Sequence, residues 1–288
     1  MTDGISGKTK VCGIIGYPIE HTMSPPIHNA AFKAMGLDYV YVAFGVKPED
    51  VGKAVQGMRA FNMRGMSVTI PHKLAVIPYI DKLDPLAEKI GAVNTIVNDD
   101  GILTGYNTDA LGFLQPLLEK GVEPEGKNVV IVGAGGASRA VSFILADRGA
   151  NLVILNRKEE LDWAENIAAN VTQAFGRKTR ALELTRKNLK DEIATADILV
   201  NVTSVGMHPK VDATAVPGDL LNSGLIVCDV VYNPLKTRLI REAEAAGATT
   251  FSGIDMLVWQ GVIAFEKWTG VKPPVDLMKE EAIKGFQH

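Results

Sequence analysis

Cysteine is nearly absent: Cys12 and Cys228 are the only two in 288 residues. Both sit inside apolar, strand-like runs, which excludes a disulfide framework as the stabilising device and makes a reducing cytoplasm the expected compartment. No apolar stretch reaches the roughly 18 to 20 residues that span a bilayer, and Met1 to Lys10 has no apolar signal core, so no membrane role is expected. Neither sign of charge dominates. Thirty Lys and Arg face 33 Asp and Glu, a formal net charge of -3, and without a long basic run there is no electrostatic footprint for nucleic acid. The five histidines are scattered and form no cluster of metal-ligand spacing, so no metal is expected. Repeats and low-complexity segments are missing too. What is left is an ordinary globular composition whose length, at about 150 residues per domain, predicts two domains.

Short β-rich runs alternate with helical patterns almost throughout, which predicts an α/β fold with helices covering largely parallel sheets. "VCGIIG" (11–16) reads as the first strand. Ser24 offers an N-cap with Pro25 in the first turn, and Ile27, Ala30, Ala31 and Ala34 form an apolar stripe ending before Gly36. "YVYVAFGV" (39–46) predicts a second strand, 49–61 a helix, and "MSVTI" (66–70) a third strand stopped by Pro71. His72 and Lys73 follow, so a strand delivers a cation to its carboxyl end, where α/β proteins usually bind ligands. "TIVNDDGILTGY" (95–106) predicts a hairpin turning at Asp100-Gly101, with a helix from about Ala110.

Turn formers cluster in "GVEPEGK" (121–127), and "NVVIVG" (128–133) begins a fresh α/β series. Further strands are expected at 151–156, 198–203 and 225–232, then helices from about Asp255 to Gly270 and from Val275 to Phe286. The resulting plan has an N-terminal mixed α/β substrate domain over 1–113, a Rossmann-like nucleotide domain over 114–254, and helices of 255–288 returning to the first.

"VVIVGAGGASRA" (129–140) places Gly133, Ala134, Gly135, Gly136 and Ala137 between a strand and a helix. Glycines there let backbone approach a pyrophosphate closely, and the N–H groups and dipole of the helix start favour the anion. Ser138 replaces the third Gly of the fingerprint. A second strand ends about 20 residues later, as a dinucleotide fold requires. It ends in Asn156, Arg157 and Lys158 rather than an acidic residue, which favours the 2′-phosphate of NADP. Glu159 and Glu160 keep NAD open as an alternative.

Eight segments in order carry a resemblance over nearly the whole chain: "GYPIEHTMSPPIHNAAF", "SVTIPHK", "GAVNTI", "GYNTDALG", "GAGGASRA", "NVTSVGM", "DVVYNPLKT" and "GIDMLVWQ". Together they resemble the shikimate dehydrogenase family. The resemblance implies two α/β domains with a cleft between them and NADP-dependent interconversion of 3-dehydroshikimate and shikimate. It implies that Lys73 is the proton-handling lysine and Asp109 its partner carboxylate. Read by themselves, Lys73 is a surface residue and Asp109 an N-cap for the following helix.

By the same resemblance Thr22 and Ser24 hold the substrate carboxylate, Thr22 standing where serine is usual. Thr69, Asn94, Asp109 and Gln260 take the ring hydroxyls, and Tyr41 and Tyr232 line the pocket. Asn94 alone reads as a turn residue. Thr203, Val230 and Gly253 flank the cofactor beside the glycine loop. His28 and His72 receive no role and are expected to be structural or solvent-facing.

Two departures bear on specificity. Many biosynthetic members carry Asn-Arg-Thr in the cofactor loop and a further Arg three residues on, where this chain has Lys158 and Leu161. With the pair Trp259-Gln260 this resembles the quinate/shikimate dehydrogenase branch, which uses NAD or NADP and takes quinate as a further substrate, whereas Thr69 matches strict shikimate enzymes. A non-catalytic sensor of the same fold is a rival that retention of Lys73, Asp109 and the glycine loop counts against. A small-molecule substrate, a monomer or homodimer, and a cytoplasmic location complete the expectation.

Overall fold

The computed structural model describes residues 4–286. The chain divides into two compact units, one made of the residues up to Leu111 and from Val258 onward, the other of Gly112–Leu257. The first opens with β1 (Lys10–Gly16), α1 (Ser24–Ala34), β2 (Tyr39–Gly45), α2 (Val51–Ala60) and β3 (Gly65–Val68). It continues with β4 (Lys82–Leu83), α3 (Pro85–Ile90), β5 (Thr95–Asp99), β6 (Ile102–Tyr106) and the start of α4 (Thr108–Glu119). The strand order is β2-β1-β3-β5-β6-β4. β1 pairs in parallel with both β2 and β3, whereas β5 runs antiparallel to β3 and β6. The sheet is therefore mixed. Its hairpin turns where expected, on Asp100 (φ 51°) and Gly101 (φ 89°), as a tight turn with positive φ at both central residues requires.

The second unit contains β7 (Asn128–Val132), α5 (Gly136–Asp147), β8 (Asn151–Asn156), α6 (Leu161–Phe175) and β9 (Arg180–Glu183). After these come α7 (Arg186–Ile193), β10 (Ile198–Asn201), β11 (Ile226–Asp229), α8 (Arg238–Ala245), β12 (Thr249–Phe251) and the start of α9 (Gly253–Thr269). All five strand pairings are parallel and the order is β12-β11-β10-β7-β8-β9, the doubly wound arrangement of a dinucleotide fold. Division between the units falls within α4 and within α9, and the turn cluster at 121–127 lies inside the second unit. α10 (Val275–Lys284) packs against α1.

Alternation along β3 separates two cores in the first unit. Met66 and Val68 join an aliphatic cluster with Ile15, Val55, Met58 and Ile96. Ser67 faces the other way and receives a 2.7 Å hydrogen bond from the Tyr41 hydroxyl. There Tyr41 stacks on His28 with centroids 4.5 Å apart, and Phe32, Phe265 and Trp268 complete an aromatic cluster. The buried stripe of α1 is Ile27, His28, Ala31 and Phe32, with Ala34 exposed, because the aromatic cluster claims the face one residue round from the alanines.

His28 is structural and not solvent-facing. Burial pushes its imidazole down to about 3 from 6.5. An unfolded chain takes up a proton near pH 6.5 that folded His28 refuses until about pH 3, so stability is lost as pH falls through that window. The slope from this group is about 1.4 kcal/mol per pH unit. Urea unfolding of His28→Leu is therefore expected to lose about 2 kcal/mol less than wild type between pH 7 and pH 5. Equal losses would place the acid sensitivity elsewhere.

Candidate active site

Both sheets have a topological switch point, the place where α/β sheets usually bind ligands. In the first unit the chain leaves β1 toward β2 and returns on the other side to β3. The crevice at the carboxyl ends of β1 and β3 is lined by the loops after Gly16 and Val68. A Cβ built on Gly16 would stand 2.5 Å from Thr69 Cγ2 and 2.9 Å from Ile19, so the two loops touch. β3 ends at Val68, two residues before the expected limit: Thr69 N makes the last ladder bond to Ile15 O at 2.9 Å, and the chain then turns, His72 N donating to Thr69 O at 2.9 Å. His72 is fully buried, and its Nε2–H donates to Val46 O at 2.7 Å, tying this loop to the end of β2.

Lys73 follows that anchor. Its Nζ donates to Asp109 Oδ2 at 2.7 Å, with side chains 30% and 17% exposed. The lysine is thus neither an isolated surface cation nor a fully enclosed one. Val93 N donates to Lys73 O at 2.8 Å, bringing the segment before β5 alongside. Asn94 is buried, and its Oδ1 accepts from Thr108 N at 2.6 Å while its Nδ2 donates to Thr108 Oγ1 at 3.0 Å. Asn94 is therefore more than a turn former. One of its amide protons is left for another acceptor.

Asp109 does not cap α4. Asn107 does so, its Oδ1 accepting from Ala110 N at 3.1 Å, and the helix starts at Thr108. That correction leaves the Asp109 carboxylate available to Lys73. Ser24 is not an N-cap either: Met23 occupies the cap position of α1 without a side-chain bond. Ser24 N instead donates to Thr22 Oγ1 at 3.3 Å, and the two hydroxyl oxygens are 3.4 Å apart. Both stay half-buried at the start of α1, as does Gln260 on α9. Tyr41, expected to line a pocket, is 1% exposed and belongs to the aromatic core.

In the second unit the switch point lies between β7 and β10. Gly133 ends β7 with φ 108°, and a Cβ there would meet Thr203 Cγ2 at 2.7 Å. Gly135 caps α5 without a side-chain bond. Around Gly135 and Gly136 a Cβ would meet nothing within 4 Å, so packing inside this chain does not demand glycine. A group of phosphate size at the amino end of α5 fits these residues. Ala134 and Ser138 are buried in the same turn, Ser138 with no protein partner for its hydroxyl.

At the end of β8, Asn156 Nδ2 donates to Glu160 O at 2.7 Å, which shapes the loop. Arg157 is exposed and pairs with the Glu160 carboxylate, which holds the guanidinium above and the carboxyl below their ordinary values. Lys158 is exposed beside them. β10 and β11 stop at Asn201 and Asp229, earlier than expected, so Thr203, Val230 and Tyr232 lie on loops. Gly253 opens α9, where a Cβ would collide with the Val230 carbonyl.

These features agree with comparisons to known proteins. Residues 14–96 match the model of the shikimate dehydrogenase substrate binding domain, and residues 253–283 that of the shikimate 5'-dehydrogenase C-terminal domain. The shikimate dehydrogenase (NADP(+)) of Methanopyrus kandleri is 49% identical over 283 residues, 97% of each chain. The chain belongs to the shikimate dehydrogenase family. The enzyme of the same name from Dehalococcoides mccartyi is 46% identical over 270 residues, 94% of each chain. A crystal structure of shikimate 5-dehydrogenase from Listeria monocytogenes, in complex with shikimate and NAD, superposes with a TM-score of 0.93 at 44% identity, covering 97% of this chain and 98% of that one.

Several polar residues of this family member escaped the sequence reading. Ser67, Asn107 and Thr108 lie next to recognised positions, and Asn201, Asp229 and Thr237 form a buried group in the second unit. A signal existed for some of them. Asn201 and Asp229 end apolar strands, where a buried polar side chain needs a partner.

Proposed function

We propose that the protein is an NADP-dependent shikimate dehydrogenase, an oxidoreductase that interconverts 3-dehydroshikimate and shikimate on the route to chorismate and the aromatic amino acids. The observation that carries this reading is the 2.7 Å ion pair between Lys73 and Asp109, at the carboxyl end of β3, in a member of this family. When bound, the reduced cofactor supplies the hydride to the ketone carbon. Lys73 delivers a proton from Nζ to the ketone oxygen, where negative charge develops. Asp109 keeps the ammonium oriented and balances its charge before transfer. Because Lys73 is partly exposed, the neutral amine left behind regains a proton from solvent. Oxidation of shikimate runs the same steps backward.

Thr22 and Ser24 are proposed to hold the substrate carboxylate, their hydroxyls side by side at the start of α1. Thr69, Asn94, Asp109 and Gln260 are assigned to the ring hydroxyls, Asn94 through its second amide proton, and Tyr232 completes the set. A wrong ligand leaves such groups unpaired at about 1–3 kcal/mol each. For NADP, residues 133–137 would receive the pyrophosphate, Asn156, Arg157 and Lys158 the adenosine end with its 2′-phosphate, and Thr203, Val230 and Gly253 the nicotinamide end. A cytoplasmic location is part of the proposal, and the two buried free thiols, Cys12 and Cys228, are its support.

Following nicotinamide absorbance with shikimate and quinate in turn, each with NADP and with NAD, tests the reading. Shikimate with NADP is expected to give the highest kcat/KM. No turnover in any pairing would leave a sensor, and equal rates with quinate and NAD would replace the name. A second reading, use of NAD beside NADP, draws on the Arg157–Glu160 pair, since Glu160 competes with a phosphate for the guanidinium. Arg157→Ala is expected to raise KM for NADP about tenfold, as loss of one charge-assisted contact does, and to leave KM for NAD within twofold. Equal changes for both would mean that the loop does not read the phosphate.

A further inference from the structure

We infer that Asp229 is a positioning residue for the nicotinamide half of the cofactor site: its buried carboxylate holds the loops after β10 and β11 in register with the turn after β7. The inference rests on the NADP reading above. Asp229 is 2% exposed, and each contact to its oxygens comes from a donor. Oδ1 accepts from Asn201 Nδ2 at 2.9 Å and from Val231 N at 3.1 Å, and Oδ2 accepts from Thr237 Oγ1 at 2.6 Å. The partners are as enclosed as the carboxylate, Asn201 at 0% and Thr237 at 1% exposure.

Each partner leads to a piece of the crevice. Asn201 Oδ1 accepts from Thr203 Oγ1 at 2.7 Å and from Thr203 N at 3.1 Å, and the Thr203 hydroxyl accepts from Val205 N at 3.1 Å. Thr203 Cγ2 is the atom that leaves no room for a side chain at Gly133. Val230 N donates to Asn201 O at 3.0 Å, and the Val230 carbonyl lies where a Cβ on Gly253 would stand. Thr237 also caps α8 through Ile240 N at 3.3 Å. One carboxylate thus fixes Thr203, Val230 and, through them, the approach to Gly133 and Gly253.

Packing alone does not call for this arrangement. An apolar pair at the ends of two central strands would fold as well or better, since burying a charge carries a desolvation cost. Burial does raise the Asp229 carboxyl above its ordinary value, against the opposing pull of its three hydrogen bonds. Among the described residues, no hydrogen bond of this network reaches the end of β8, where the adenosine half is assigned.

That separation sets the test. Asp229→Ala removes both acceptor oxygens, so all three bonds are lost. NADPH affinity read by nicotinamide fluorescence and kcat/KM with shikimate are both expected to fall tenfold or more, while inhibition by adenosine 2′,5′-bisphosphate stays within twofold of wild type. Should that variant not fold, the Thr237 pair decides: Thr237→Val is expected to show the same pattern at about threefold, and Thr237→Ser to restore wild-type values. NADPH affinity within twofold of wild type, parallel loss of NADPH and bisphosphate binding, or a Thr237→Ser variant as impaired as Thr237→Val would overturn the inference. Wild-type protein that binds NADPH without oxidising shikimate would remove the shikimate reading, and the positioning role would then be judged on fluorescence alone.

Discussion

Lys73→Met is expected to lower kcat for shikimate oxidation with NADP by about 10²- to 10⁴-fold, the range that a positioned proton donor contributes. Methionine nearly matches lysine in length and bulk but carries neither charge nor proton. The side chain of Asp109 is 17% exposed, so its carboxylate can be rehydrated when the 2.7 Å partner is gone, and the loop should stay folded. Anchors of that loop do not use the lysine side chain: they run from the His72 ring to the Val46 carbonyl and from Val93 N to the Lys73 carbonyl. The KM for shikimate is therefore expected to stay within a few fold, because a transition-state interaction is lost and most ground-state contacts remain. Steady-state kinetics at saturating NADP decide. Turnover near wild type would remove Lys73 from the chemistry and leave the ion pair as a structural contact.

Trp268→Ala is expected to cost about 3–5 kcal/mol of stability, the usual range for emptying a buried aromatic site. Trp268 is 1% exposed, and its Nε1 donates to Ile96 O at 3.1 Å. Its ring lies within 6 Å of both His28 and Tyr41 and covers Gly65, where any Cβ would collide with it. Arg64 Nε donates to the Trp268 carbonyl at 2.7 Å, which finishes the carboxyl end of α9. Removing the ring leaves a cavity, takes one of its donors from the Ile96 carbonyl and loosens the end of the helix that carries Gln260. Urea unfolding with the slope held common to both proteins would measure the loss. A change below about 1 kcal/mol would mean that the site collapses and that the ring is not central to the core.

How far the residues themselves announced this structure depends on the range of the force involved. The Asp100-Gly101 hairpin was legible because the turn needs positive φ at adjacent positions and few sequences supply it. The glycine turn before α5 was legible for a similar reason, being local and stereochemically demanding. Strand ends were not. Thr69 and Val230 look like strand residues, and their N–H groups do make the last ladder bonds, to Ile15 and Asn201, but the chain leaves the sheet immediately after them. Capping misled at Ser24, and at Asp109 it was the rival to the pairing with Lys73, because both residues suit an N-cap. Which acceptor wins depends on partners far away in sequence, Lys73 in the case of Asp109. The Asn201–Asp229–Thr237 group lay out of reach for the same reason, although polar ends on apolar strands pointed toward it.

The order in which the two units can close is set by how they are threaded. Residues of the second unit are consecutive, Gly112–Leu257, whereas the first is interrupted and needs the residues from Val258 onward. During synthesis on a ribosome the dinucleotide sheet can form as soon as its own residues have emerged, in keeping with domains folding as units. The face of the first sheet around Tyr41 and Gly65 must wait uncovered until Trp268 arrives, so a nascent chain passes through a stage in which the cofactor half is complete and the lysine-bearing half is not.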